Sequence, residues 1–230
     1  MKSHLKRLAI PKSWKVKRRG LTFIVRPYPG PHSIKLGLSL NSVMRDILRI
    51  AKNSKEVKKI LHDNEILVDG IRRKEQKFPV GIMDVVEFKK SNEHYRVVLD
   101  KGKIRLIAID KKEGTIKPCR ITGKSKVKGK TQLNLYDGKN ILVEKDEYKV
   151  GDTVIIGLPK QDIKENIKLE KGCSIYLIGG KHIGDIGKIE GIITNKITYK
   201  NEKGEIIETL KKYVFVVGKD KPVVSLESKE

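Results

Sequence analysis

The chain has 230 residues, 38% of them apolar and 34% charged, with a formal net charge of +23 and an isoelectric point near 9.9. No apolar run approaches the roughly 18–20 residues of a membrane span, and the N-terminus lacks the apolar stretch of a signal peptide, so the expectation is a soluble cytoplasmic protein whose partner is a polyanion other than a membrane surface. Two cysteines, Cys119 and Cys173, stand far apart outside any Cys-x-x-Cys pair, and His4, His32, His62, His94 and His182 show no metal-ligand spacing; reduced, packed thiols with no metal and no cofactor are expected.

Residues 1–37 read as a basic arm. Pro11, Pro27, Pro29 and Pro31 interrupt any helix, and residues 1–45 hold 11 Lys or Arg and no Asp or Glu. Such a segment buries too little by itself to offset its ordering entropy, so it is expected to order when phosphates neutralise it. Lys2, Lys6, Arg7, Lys12, Lys15, Lys17, Arg18, Arg19 and Arg26 are its candidate RNA contacts. Trp14, the only tryptophan, stands among these cations. Two roles stay open for it: stacking on a base or sugar, or anchoring the arm to a domain.

Residues 38–90 read as a compact α+β module. Val43, Met44, Ile47, Leu48 and Ala51 recur at helical spacing, with Arg45, Arg49 and Lys52 on another face. Asn53 with Glu56 three residues on forms a capping pair for a second helix that buries Val57, Ile60 and Leu61 and exposes Lys55, Lys58, Lys59 and His62. A strand at Glu65–Asp69, a turn at Asp69-Gly70 and a basic return through Arg72, Arg73 and Lys74 follow. The two helix faces and the basic turn together are expected to cup an RNA backbone.

Beyond residue 90 the helical period fades and short strands alternate with turns such as Lys101-Gly102, Asp137-Gly138 and Lys203-Gly204. The reading is two small β domains, 91–170 and 171–230, linked by Gln161–Lys171. Lys124, Lys126, Lys128 and Lys130 alternate. In one extended strand all four share a side, either as a phosphate contact or as a mobile basic hairpin. From Leu177 to Gly191, five glycines surround Lys181 and His182. The glycines provide tight bends, with Gly184 and Gly187 needed for backbone shape. Lys181 and His182 are the candidate contacts, unless the segment is only a loose hairpin loop. It is neither a P-loop nor a dinucleotide fingerprint, and no small-molecule substrate is expected.

At this point the residues resemble known families. Ile66-Leu67-Val68-Asp69-Gly70 and Gly81-Ile82-Met83-Asp84-Val85-Val86, after two short basic helices, resemble the ribosomal-protein-four RNA-binding domain, which also occurs in pseudouridine synthases and tyrosyl-tRNA synthetases. The stretch around Gly179–Ile189 is similar to a KOW motif. Joined to His4-Leu5-Lys6-Arg7-Leu8, Ala9-Ile10-Pro11-Lys12-Ser13-Trp14, Arg26-Pro27, Gly30-Pro31-His32, Phe215-Val216-Val217-Gly218 and Lys221-Pro222, these resemble the archaeal and eukaryotic small-subunit ribosomal protein four-E family along essentially the whole chain. The resemblance implies a multidomain α+β protein: arm, helical RNA-binding domain, central β domain and KOW-type barrel. It also implies small-subunit ribosomal RNA and neighbouring ribosomal proteins as partners, and no catalysis. The end at Glu230, without the long basic tail of eukaryotic members, points to an archaeal-type protein.

The rival readings are an RNA-modifying enzyme and a free RNA-binding regulator. A pseudouridine synthase needs a catalytic Asp, usually after Arg-Leu, yet Arg7-Leu8 precedes Ala9 and Arg105-Leu106 precedes Ile107. A synthetase needs a nucleotide-binding α/β domain, for which the remaining residues supply almost no helices.

Overall fold

The computed structural model describes residues 4–227 and divides them into two compact units. One comprises the chain up to Val98 together with Gly102–Thr115; the other comprises Leu99–Lys101 and everything from Ile116 on.

In the first unit, β1 (Leu5–Lys6) pairs antiparallel with β2 (Phe23–Ile24), and β3 (Gly37–Ser39) pairs with a later strand, Pro79–Gly81. A short helix α1 (Leu40–Ser42), capped by the Ser39 hydroxyl, runs into a π-helical turn at Val43–Ile47. The Leu48 amide reaches the Val43 carbonyl at 2.9 Å, and Arg49 stops the turn with a φ of 56°. The first predicted helix is therefore shorter and wider than its apolar spacing suggested, although Val43, Met44 and Ala51 are buried as expected.

Helix α2 (Ser54–Asp63) starts where the capping pair placed it. The Asn53 side chain accepts from the Lys55 and Glu56 amides at 2.9 Å, and the Glu56 carboxylate accepts from the Lys52 amide at 2.7 Å. Strands β4 (Ile66–Val68), β5 (Ile71–Arg72), β6 (Pro79–Gly81), β7 (Val85–Phe88), β8 (Glu93–Asp100) and β9 (Lys103–Ile109) follow, and one sheet has the order β5-β4-β7-β8-β9. Asp69-Gly70 and Lys101-Gly102 have positive φ at both positions, the geometry a tight two-residue hairpin requires.

The arm is packed into this unit. Ile10, Trp14 and Ile24 are buried, the Ile104 amide donates to the Ser13 carbonyl at 2.7 Å, and the Trp14 indole Nε1 donates to the Ile34 carbonyl at 2.9 Å. The expectation that residues 1–37 order only on RNA gives way here. Three buried apolar side chains and a single parallel bridge from Trp14 to Ile104 of β9 supply the ordering energy that the prolines and lysines concealed.

The second unit follows a short helix, α3 (Lys111–Gly114), which belongs to the first. Its strands are β10 (Ile116–Val127), β11 (Lys130–Leu135), β12 (Asn140–Val143), β13 (Thr153–Gly157), β14 (Asp162–Ile167), β15 (Ser174–Leu177), β16 (Ile186–Ile193), β17 (Lys196–Asn201), β18 (Ile206–Leu210) and β19 (Val214–Gly218). They form two antiparallel sheets, β12-β11-β10-β13-β14 and β18-β17-β16-β15-β19. The predicted link Gln161–Lys171 is largely strand β14. Ile167 lies in one core cluster with Ile155, Cys173, Ile175, Leu177, Ile189, Ile197 and Val216, so the second sheet's core continues into the first. Both cysteines are buried. With α2 the only helix longer than five residues among those described, the fold is mostly β rather than the expected α+β.

Candidate nucleic-acid interface

Each proposed contact starts as a side chain that its backbone either holds outward or draws in. In the arm, Lys6, Lys12, Lys15, Lys17 and Arg19 are exposed, while Arg26 is half-buried. Lys2 lies outside the described residues. Three predicted contacts are drawn inward. Arg7 is 4% exposed; its guanidinium donates to the Lys17 carbonyl and to Asp46, each at 2.7 Å. Arg18 donates to the carbonyls of Leu8, Ile10 and Pro11 at 3.3–3.4 Å. Trp14 is 3% exposed, which leaves no face for a base. These three hold the arm together, and their assignment as RNA contacts is corrected accordingly.

Helix α2 carries the clearest surface. Lys55, Lys58, Lys59 and His62, at i, i+3, i+4 and i+7, share its exposed side, opposite buried Val57 and Leu61. Arg72, across the β4–β5 turn, donates to the His62 carbonyl at 3.1 Å, near the C-terminal end of α2, where a cation is electrostatically favoured. The turn is thereby fixed beside the lysine row. Lys52, Arg49 and Lys74 are exposed as well.

Arg45 and Arg73 depart from that pattern. Arg45 reaches Asp46 at 2.8 Å and the Ser54 hydroxyl at 3.1 Å, with only 10% of its side chain exposed. Arg73 lies over the Phe78 ring at 4.2 Å. Both are structural in this geometry.

The four alternating lysines do not share one side. Lys124 and Lys126 lie in β10, Lys128 sits at positive φ in the turn with Gly129, and Lys130 opens β11. The register pairs Lys126 with Thr131 and Val127 with Lys130, so Lys130 faces opposite to Lys124 and Lys126. Lys124 pairs with Asp146, and Lys130 with Glu144 at 2.9 Å, where the ammonium lowers the Glu144 carboxyl below its usual range. Lys126 and Lys128 stay exposed.

In the glycine-rich stretch, Lys181 is exposed, whereas His182 pairs with Asp185 at 3.3 Å. His182 lines a cavity of about 400 Å³ whose wall includes Asp100, Asp185, Glu202, Glu205 and Glu227. Lys101 and Lys203 also line it, but the five carboxylates outnumber them and disfavour a phosphate there, which argues against His182 as an RNA contact. Gly184 has a φ of +95°, and a Cβ on it would stand 2.9 Å from the Leu99 carbonyl oxygen. Gly187 has an ordinary φ; its constraint is space, because a Cβ would stand 2.5 Å from the Lys200 carbonyl oxygen.

Sequence reading missed one feature of this sheet. Lys188 and Lys200 are exposed and directly opposite one another across β16 and β17, an arrangement of like charges that favours an anion nearby. Only the strand register places them together. Among the described residues no helix is long and apolar enough to cross a membrane.

Comparison with known proteins gives a consistent result. Residues 91–163 match the ribosomal family S4e, and residues 1–35 match the RS4NT domain. The chain is 45% identical to the small ribosomal subunit protein eS4 of Methanocaldococcus jannaschii, over 98% of each chain. It is 44% identical to the protein of the same name from Methanosphaera stadtmanae, over 98% of this chain and 96% of that one. The crystal structure of the 30S ribosomal protein S4e from Thermoplasma acidophilum superposes with a TM-score of 0.71 at 30% identity, covering 84% of this chain and 99% of that one.

Proposed function

Because the chain belongs to the ribosomal S4e family, a family of structural ribosomal proteins rather than enzymes, we propose that it assembles on small-subunit ribosomal RNA in the cytoplasm through the lysine row of α2. The observation that carries this reading is Lys55, Lys58 and Lys59 on one exposed helix side, with Arg72 fixed at the helix end. Lysines at that spacing neutralise successive phosphates without reading bases, which suits a protein that must be positioned on a folded RNA. Lys6, Lys12, Lys15, Lys17 and Arg19 of the arm extend the positive surface within the same unit. In the second unit, Lys126, Lys128 and Lys181 act as further contacts, with the Gly179–Ile189 stretch in a KOW-type role toward RNA or a neighbouring ribosomal protein.

The test is a triple charge reversal, Lys55→Glu, Lys58→Glu and Lys59→Glu, in the full chain. Affinity for small-subunit ribosomal RNA and incorporation into subunits should both fall, with the melting temperature unchanged. Wild-type affinity and incorporation in that variant would overturn the proposal.

A further inference from the structure

Resting on that RNA-binding reading, we propose that Phe23, with His4 beside it, is a stacking site for an unpaired RNA base, and that Lys6 holds the phosphate of the same or an adjacent nucleotide. The reasoning begins with strand alternation. The β1–β2 ladder pairs Leu5 with Ile24 and Lys6 with Phe23. Ile24 is buried, so the Leu5–Ile24 side of this ribbon turns into the protein and the Lys6–Phe23 side turns out. Phe23 is 52% exposed. The His4 ring lies beside it, with centroids 5.6 Å apart and planes tilted by 50°. The hydrogen bond from the Arg7 amide to the Thr22 carbonyl, at 2.9 Å, continues the pairing and fixes the ring's place relative to Lys6.

Cross-strand neighbours stand about 4.5–5.5 Å apart at Cβ. An ammonium and an aromatic face side by side on one ribbon match the two parts of a nucleotide, its phosphate and its base. Every base offers a π face, so the contact tolerates sequence. Leu8 and Leu21 are also strongly exposed nearby in the arm, and an apolar patch of this kind could instead receive a protein. Charge decides between the two. Residues 1–37 carry ten Lys or Arg and no Asp or Glu, and Lys6, Lys17 and Arg19 remain exposed. A protein covering the patch would have to supply the carboxylates, whereas RNA brings phosphate and stacking surface together.

The experiment uses the full chain, a small-subunit ribosomal RNA transcript and three variants. Phe23→Leu keeps the bulk and removes the π face; affinity should fall about tenfold with no change in the salt slope, since no phosphate contact is lost. Phe23→Tyr should bind as the wild type does. Phe23→Trp should give a new indole whose fluorescence is quenched when RNA is added, over the constant background of buried Trp14. Unchanged affinity in Phe23→Leu together with no quenching in Phe23→Trp overturns the stacking site. If in that case the α2 triple reversal still weakens binding, the RNA reading itself survives; if the triple reversal also binds normally, that reading has failed first. Normal RNA affinity in Phe23→Leu with lost subunit incorporation assigns the patch to a protein and likewise overturns the proposal.

Discussion

Replacing Trp14 with alanine should cost about 3–5 kcal/mol of stability, because it empties a buried site and removes the indole hydrogen bond to Ile34. Thermal unfolding of the full chain checks this: a variant that melts normally but binds RNA weakly would return Trp14 to the RNA surface. The buried ion pair between Lys117 and Asp137, at 3.0 Å, makes a second residue-scale prediction. Burial pushes the Asp137 carboxyl up, but the charges of Lys117 and Lys139, with their hydrogen bonds, outweigh it and hold the carboxyl below its ordinary value. A depressed folded value means that the stabilisation is complete above the ordinary carboxylate range, near pH 4, and is lost as pH falls through the folded value. Asp137→Asn should therefore destabilise the protein at neutral pH, because Lys117 keeps a buried charge without its carboxylate, and should flatten the acid limb of the stability curve. An acid limb as steep as the wild type's would assign the pH dependence to other groups.

Two glycines of β16 differ sharply in what an added methyl would meet. Gly187→Ala forces a Cβ against the Lys200 carbonyl and the Tyr199 ring, and should cost about 1–3 kcal/mol through overpacking. Gly191→Ala meets nothing nearer than the Thr198 hydroxyl at 3.9 Å and should be close to neutral. Chemical denaturation of both variants measures the contrast, and equal midpoints would refute it. The sequence singles out Gly187 for backbone shape, but the space that separates the two glycines is set by the neighbouring strand. The same limit explains the other elements. The Asn53–Glu56 cap and the Asp69-Gly70 and Lys101-Gly102 turns were legible because their partners lie within a few residues. Strand β14 was not, because Asp162-Ile163-Lys164-Glu165-Asn166-Ile167 is charged and shifts register against β13 at Ile155/Ile156. The lysine row of α2 was legible from its period, whereas the inward turn of Arg7 depends on Asp46, 39 residues away.

For the whole molecule, the excess of 51 basic over 28 acidic residues predicts strongly salt-dependent RNA binding. If about 6–10 phosphates are neutralised, affinity should drop roughly 10³–10⁵-fold between 50 and 200 mM salt. A flat titration of the full chain on small-subunit ribosomal RNA would defeat the electrostatic account. The packing of the arm also bears on synthesis. Asp46, the first acid in the chain, receives Arg7, and the strand that receives Ser13 and Trp14 begins only at Lys103. A growing chain thus carries an undocked basic arm until about ninety further residues have followed Trp14. At ribosomal elongation rates that interval lasts on the order of 5–20 seconds. During it the arm lacks its docking strand, and until Asp46 has been made it also lacks any carboxylate in the chain to pair with. The first segment of the nascent polypeptide is therefore most open to adsorption on nucleic acid before those partners emerge.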